Sequence, residues 1–134
     1  MNYELAIKLK EAGFPQEPFW SDYGEMIYYG GSWYFIPVEE GCPNIVFADE
    51  KLYEEGIKRG DNLIKIPILS ELIEACGGVF IDLRREKENE WVAKSQELIN
   101  EKDNKVLLVS GTIPEEAIAR LWLELNKNKT TKKI

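Results

Sequence analysis

The chain of 134 residues contains no histidine, only two cysteines (Cys42 and Cys76) and only four arginines (Arg59, Arg84, Arg85 and Arg120). Without histidine the commonest general base and metal ligand are gone, and with them the Ser-His and Cys-His nucleophile arrangements. Two cysteines make no disulfide framework, and without histidine they make no zinc site. Cys76 falls on an apolar helix face and reads as a small core residue, whereas Cys42, in Gly-Cys-Pro, reads as a loop. No apolar run is long enough to span a bilayer. Met1 to Lys10 reads as a charged amphipathic helix and not as a secretory signal. The expectation is a cytoplasmic protein with reduced thiols, no membrane partner and no cofactor. A net charge of −7 and a pI of about 4.8 argue against a nucleic-acid partner held by broad phosphate neutralisation. A small anionic ligand in one local basic pocket stays open.

With 44% hydrophobic and 31% charged residues the composition is that of a globular chain. We expect a single domain over residues 1–127, followed by a flexible Lys-rich tail at 128–134. An amphipathic helix begins at Met1 or Asn2 and is ended by Gly13 and Pro15. Residues 14–24, rich in aromatics and proline, read as irregular. Met26 to Pro37 reads as a hairpin turning at Gly30-Gly31. Asp49 caps a short helix over 50–58 that Gly60 ends, and Asn62 to Pro67 is a short strand. A helix over 70–76 takes Ser70 as its cap and Gly77 as its stop. Strands over 79–84, 90–95 and 105–110 follow. The last helix starts at Pro114, with Ala117, Ile118, Leu121, Trp122 and Leu125 in one apolar stripe and Arg120 and Glu124 paired on the wet side. The second half therefore runs helix, strand, strand, strand, helix. The fold class is α+β, an antiparallel sheet with helices packed on one face.

None of these segments spells a chemistry. Glu39-Glu40, Glu54-Glu55 and Glu115-Glu116 sit in polar surroundings that would not raise a carboxyl pKa, and they read as solvated charge. Gly30-Gly31 and Gly77-Gly78 lack the lysine and spacing of a phosphate-binding loop. Binding is the better prospect. Arg84 and Arg85 end a strand, and guanidinium forks suit phosphate or carboxylate, unless Glu86, Glu88 or Glu90 neutralises them. Trp33, Tyr34 and Trp91 could stack on a flat ligand or anchor a protein partner, unless they are core.

Five pieces, in order along the whole chain, resemble a family of small uncharacterised proteins carried by bacteriophages and prophages. They are Asn2-Tyr3-Glu4-Leu5-Ala6, Leu9 to Pro15, Leu69 to Gly77, Trp91-Val92-Ala93 and Pro114 to Asn126. The last is the most specific. The resemblance implies no activity and transfers no functional residues. Where similar proteins place a threonine at two helix starts, this chain has Ile68 and Ile113, which removes a side-chain cap at each. The order helix, three strands, helix is also similar to a double-stranded-RNA-binding domain, but Glu115 and Glu116 stand where those domains place lysines. Gly111 to Ala117 resembles the start of a helix in HicB-type antitoxins. The combined expectation is a non-catalytic accessory protein that binds a host or phage protein, including a defence component. The alternatives are a binder that sequesters a small nucleotide-type signal through Arg84, Arg85, Trp91, Trp33 and Tyr34, as a homo-oligomer, and a HicB-like antitoxin.

Overall fold

A computed structural model describes residues 1–23, 26–98 and 103–131, with the side chains of residues 20–29 and 128–131 outside the description. The chain divides into two compact units, Asn2–Pro67 and a second beginning at Ile68.

In the N-terminal unit, α1 (Tyr3–Glu11) starts where the Asn2 side chain accepts the Leu5 N–H at 2.8 Å. It buries Leu5, Ala6 and Leu9. β1 (Trp20–Tyr23) and β2 (Met26–Tyr29) pair antiparallel with each other. β3 (Ser32–Ile36) runs between β4 (Asn44–Ala48) and β5 (Ile64–Ile66), antiparallel to both. The expected hairpin at Gly30-Gly31 does not form, because β3 already has a strand on each edge and β2 takes β1 as its partner. α2 (Glu50–Arg59) starts at Asp49, whose carboxylate accepts the Leu52 N–H at 2.9 Å, and ends at Gly60 in the left-handed conformation.

Neighbouring residues of a strand point to opposite faces, so β3 sorts the two helices. The Tyr34 ring stacks on Tyr53 of α2, with centroids 5.4 Å apart, while Phe35 meets the edge of Tyr3 of α1 at 5.2 Å. α1 and α2 thus lie on opposite faces of this sheet. The irregular segment after α1 is tied down by specific bonds. Phe14 is buried, Tyr34 donates its hydroxyl proton to the Gln16 carbonyl at 2.6 Å, and the Gln16 side chain accepts the Lys65 N–H at 2.9 Å. The buried Lys65 ammonium donates to the Glu17 carbonyl. The Phe19 N–H reaches Ser32 Oγ at 2.9 Å.

In the C-terminal unit, α3 (Leu69–Cys76) and a single 3₁₀ turn (Gly77–Val79) lead into β6 (Phe80–Lys87), β7 (Glu90–Leu98) and β8 (Asn104–Gly111), an antiparallel sheet in sequence order. α4 (Pro114–Thr131) lies on β7 and β8, and α3 packs against α4. The α+β class and the helix, three-strand, helix order of the second half are as expected. α4 runs to Thr131, so residues 128–131 of the expected tail continue the helix, and 132–134 lie outside the described residues.

Both helix starts that lack threonine are closed by a glutamate three residues into the helix. Glu71 accepts the Ile68 N–H at 3.4 Å; α3 therefore begins before Ser70, which does not cap it. The buried Glu116 accepts from the Thr112 hydroxyl at 3.1 Å and its N–H at 3.5 Å, and pairs with Arg120 at 3.0 Å. Arg120 thus turns back one turn to Glu116 in place of the expected Glu124 one turn ahead, and also donates to the Ser110 carbonyl at 3.2 Å. The α4 stripe is buried as patterned at Ala117, Ile118, Leu121 and Trp122, with Ala119 added.

Candidate functional site

The alternation of the strands decides which of the candidate residues meet. Arg85 stands opposite Trp91 and Arg84 opposite Val92 in the β6–β7 register. Arg85 and Trp91 therefore share the face that carries the buried Ala93 and Ser95, while Arg84 points to the other face. On that other face the exposed Arg84 places its Nε 3.5 Å from Oδ1 of the half-buried Asp82, an ion pair two residues apart. The partner expected for it among Glu86, Glu88 and Glu90 is thus replaced by Asp82. The guanidiniums do not act as a pair, since consecutive strand positions diverge.

Tyr34 and Trp33 diverge for the same reason. Tyr34 is fully buried, bonded to Gln16 and stacked on Tyr53. Its face holds the core cluster of Tyr34, Ala48 and Leu63, with Ile36, Val46 and Tyr53 packed against it. Trp33 points the other way and is 50% exposed. Directly across the ladder from Trp33 is Phe47, 51% exposed, and the two rings meet edge to face at 5.2 Å. Ile45, two residues from Phe47 on the same face, is 58% exposed. The result is a half-exposed apolar surface of two aromatic rings and one branched aliphatic side chain across two adjacent strands.

Phe47 and Ile45 escaped notice in the sequence because 38–61 carries no clear periodicity. The available signal was the short apolar run Asn44 to Ala48, which is long enough for one strand. Phe47 is positioned by backbone: a Cβ at Gly31 would come within 2.4 Å of the ring's Cζ and 2.9 Å of the Ala48 carbonyl. The ring lies over a glycine because no other residue leaves it room.

Other surface features are less developed. On the face of the C-terminal sheet away from α4, Leu98, Val106 and Leu108 are exposed, and none is aromatic. A shallow groove of about 400 Å³ is lined by Tyr3, Ile7, Lys10, Glu11, Asn62 and Ile64. Lys10 is already committed there to the Asn62 side chain at 2.9 Å and the Leu63 carbonyl at 3.0 Å. A second hollow is lined by Asp49, Glu50, Lys51 and Glu54. Arg84, Arg85, Trp91, Trp33 and Tyr34 line neither. Burial pushes the Cys76 thiol up to about 11, and burial followed by the nearby Glu17 charge raises the Tyr53 phenol. Both are packing residues. Among the described residues no group of three or more Cys, Asp or Glu side chains is placed to hold a metal ion, and no helix is long and apolar enough to cross a membrane.

Comparison of the chain with protein families, with curated proteins and with solved structures finds no match.

Proposed function

We propose that this chain is a non-catalytic accessory protein of bacteriophage or prophage type, which acts by binding a host protein or defence component and occupying it. One observation carries the reading: Trp33, Phe47 and Ile45 are held half-exposed on one face of two adjacent strands. Isolated exposed hydrophobics need no explanation, but a contiguous group containing two aromatic rings is how protein-binding surfaces are built. Each ring is orientated before any partner arrives, Phe47 by the Gly31 backbone and Trp33 by Phe47. Little side-chain entropy is therefore lost on docking.

The test is native mass spectrometry of the tagged protein recovered from a bacterial lysate, beside the double variant Trp33→Ala, Phe47→Asp. The reading expects a stoichiometric protein with the parent chain and its loss with the variant, which still unfolds cooperatively as a folded protein. Equal recovery of that protein by both chains refutes it. A small added mass with no protein would support instead the sequestering of a nucleotide-type signal, for which Arg85 and Trp91, a guanidinium and a ring opposite each other on one face, are the residues to test.

A further inference from the structure

The chemistry of the partner is written in the charges along the strand that carries Phe47. Between Lys10 and Lys51 the chain has no lysine or arginine, while residues 11–50 contain eight carboxylates. Four of them bracket β4 directly: Glu39 and Glu40 in the turn before it, and Asp49 and Glu50 immediately after it, all exposed. The two apolar side chains that β4 exposes, Ile45 and Phe47, lie between these two acidic pairs. Asp49 also caps α2, where its carboxylate accepts the Leu52 N–H.

β4 is also an edge. It pairs with β3 alone among the described strands, so its outer side carries unpaired backbone N–H and C=O groups. Edge strands are commonly guarded by lysine, proline or a bulge. The register of β4 on β3 is continuous over all five residues, and no residue from Asn44 to Ala48 is charged or proline. Among the described strands none pairs with this edge beyond β3, and it is apolar at its centre and negative at both ends.

We propose that this edge and the face beside it take a cationic segment of a partner protein, in extended form, with apolar side chains on Trp33, Ile45 and Phe47 and Lys or Arg side chains against Glu39, Glu40, Asp49 and Glu50. The proposal rests on the protein-binding reading above and adds the partner's chemistry to it. Backbone pairing along β4 supplies register, the aromatic face supplies anchoring, and the carboxylates supply steering and discrimination. The same charges exclude other occupants. Nucleic acid and anionic membrane surfaces are repelled. A second copy docking antiparallel by the same patch would set Glu39 and Glu40 of each chain against Asp49 and Glu50 of the other.

The probe is a short peptide alternating Lys with Leu and Ile, compared with the same peptide carrying Glu at every Lys position, each titrated into the whole protein and followed by backbone amide NMR. The cationic peptide is expected to shift resonances of β3, β4 and the residues flanking β4. Its affinity should fall by at least about tenfold between about 0.1 M and about 1 M salt, where the screening length drops from about 10 Å to about 3 Å. The Glu peptide should not bind. The pair Glu39→Lys, Glu40→Lys should weaken the cationic peptide by at least about tenfold without moving the melting temperature. Failure of the cationic peptide to bind overturns the proposal. Equal binding of both peptides, or no effect of the charge reversals, overturns the charge assignment but leaves the apolar surface standing. Binding untouched by Phe47→Asp removes the surface itself, and the protein-binding reading with it.

Discussion

Gly111 is the last residue of β8, and its backbone lies against the first turn of α4. A Cβ at this position would come within 2.5 Å of the Ala117 nitrogen and 3.0 Å of the Ala117 Cα and the Glu116 carbonyl carbon. All three are backbone atoms of α4, so no rotamer change relieves the clash; the helix start must retreat by close to 1 Å. That retreat would loosen the Glu116 bonds to Thr112 and the Glu116–Arg120 pair. Overpacking of a well-filled site costs about 1–3 kcal/mol, and we expect Gly111→Ala near the upper end because the obstacle cannot rotate away. At roughly 4–8 °C per kcal/mol for a unit of this size, melting of the C-terminal unit should fall by roughly 10–20 °C. Gly78 supplies the control, since a Cβ there meets nothing within 4 Å. Gly78→Ala should stay within about 0.5 kcal/mol of the parent. Differential scanning calorimetry of the three proteins decides the matter. A Gly111→Ala protein that melts with Gly78→Ala would mean that α4 is not seated against the end of β8 as described.

Four further outcomes are expected. Trp122, 6% exposed, should cost about 3–5 kcal/mol as Trp122→Ala, read by chemical denaturation; an unchanged midpoint would place it outside the core. Gly31→Ala should lower stability by about 1–3 kcal/mol and quench the Trp33–Phe47 ring contact in the NMR spectrum, because the new methyl occupies the space of the Phe47 ring. The buried Cys76 thiol, pushed from 9.0 to about 11, holds its proton longer in the folded protein than in the unfolded chain. Its contribution is therefore complete below pH 9 and is lost as the pH rises from 9 through about 11; Cys76→Ala should flatten stability against pH across that window, and an unaltered slope would contradict the assignment. Under native conditions a thiol reagent should label Cys42, which is exposed, and spare Cys76 until the protein unfolds, as counted by mass spectrometry.

The parts of this fold that were legible in the sequence are those whose signals are local. Asp49 and Gly60 bracket α2 because a side-chain acceptor and a residue free to adopt positive φ are needed at its two ends. The stripe at Ala117, Ile118, Leu121 and Trp122 announces both the helix and its buried side. Cys76 reads as core and Cys42 as surface for equally local reasons. In the first half of the chain strand pairing was not legible in the same way, although the antiparallel β6, β7 and β8 follow the expected order. The aromatic residues around Gly30-Gly31 resemble a hairpin, yet β3 pairs with β4 and β5, the latter some thirty residues further on. Capping at Ile68 and Ile113 looked absent because a threonine was missing, whereas Glu71 and Glu116 close both turns from inside the helix.

The candidate site divides along the same line. The sequence alone determined the chemistry available: no histidine, few arginines, a marked excess of carboxylates and a concentration of aromatics near residues 33–35. It also determined the alternation by which neighbours such as Trp33 and Tyr34, or Arg84 and Arg85, must point apart once they lie in strands. Tertiary structure decided which neighbour faces the core. α2 covers the Tyr34 side of β3 and buries it, α1 covers the Phe35 end of the other face, and Trp33 is left exposed with Phe47 brought across from β4. Residue type and local spacing fix what a segment can become. Which side is wet depends on where distant elements settle, because burial is a property of the assembled surface and of no single stretch of chain.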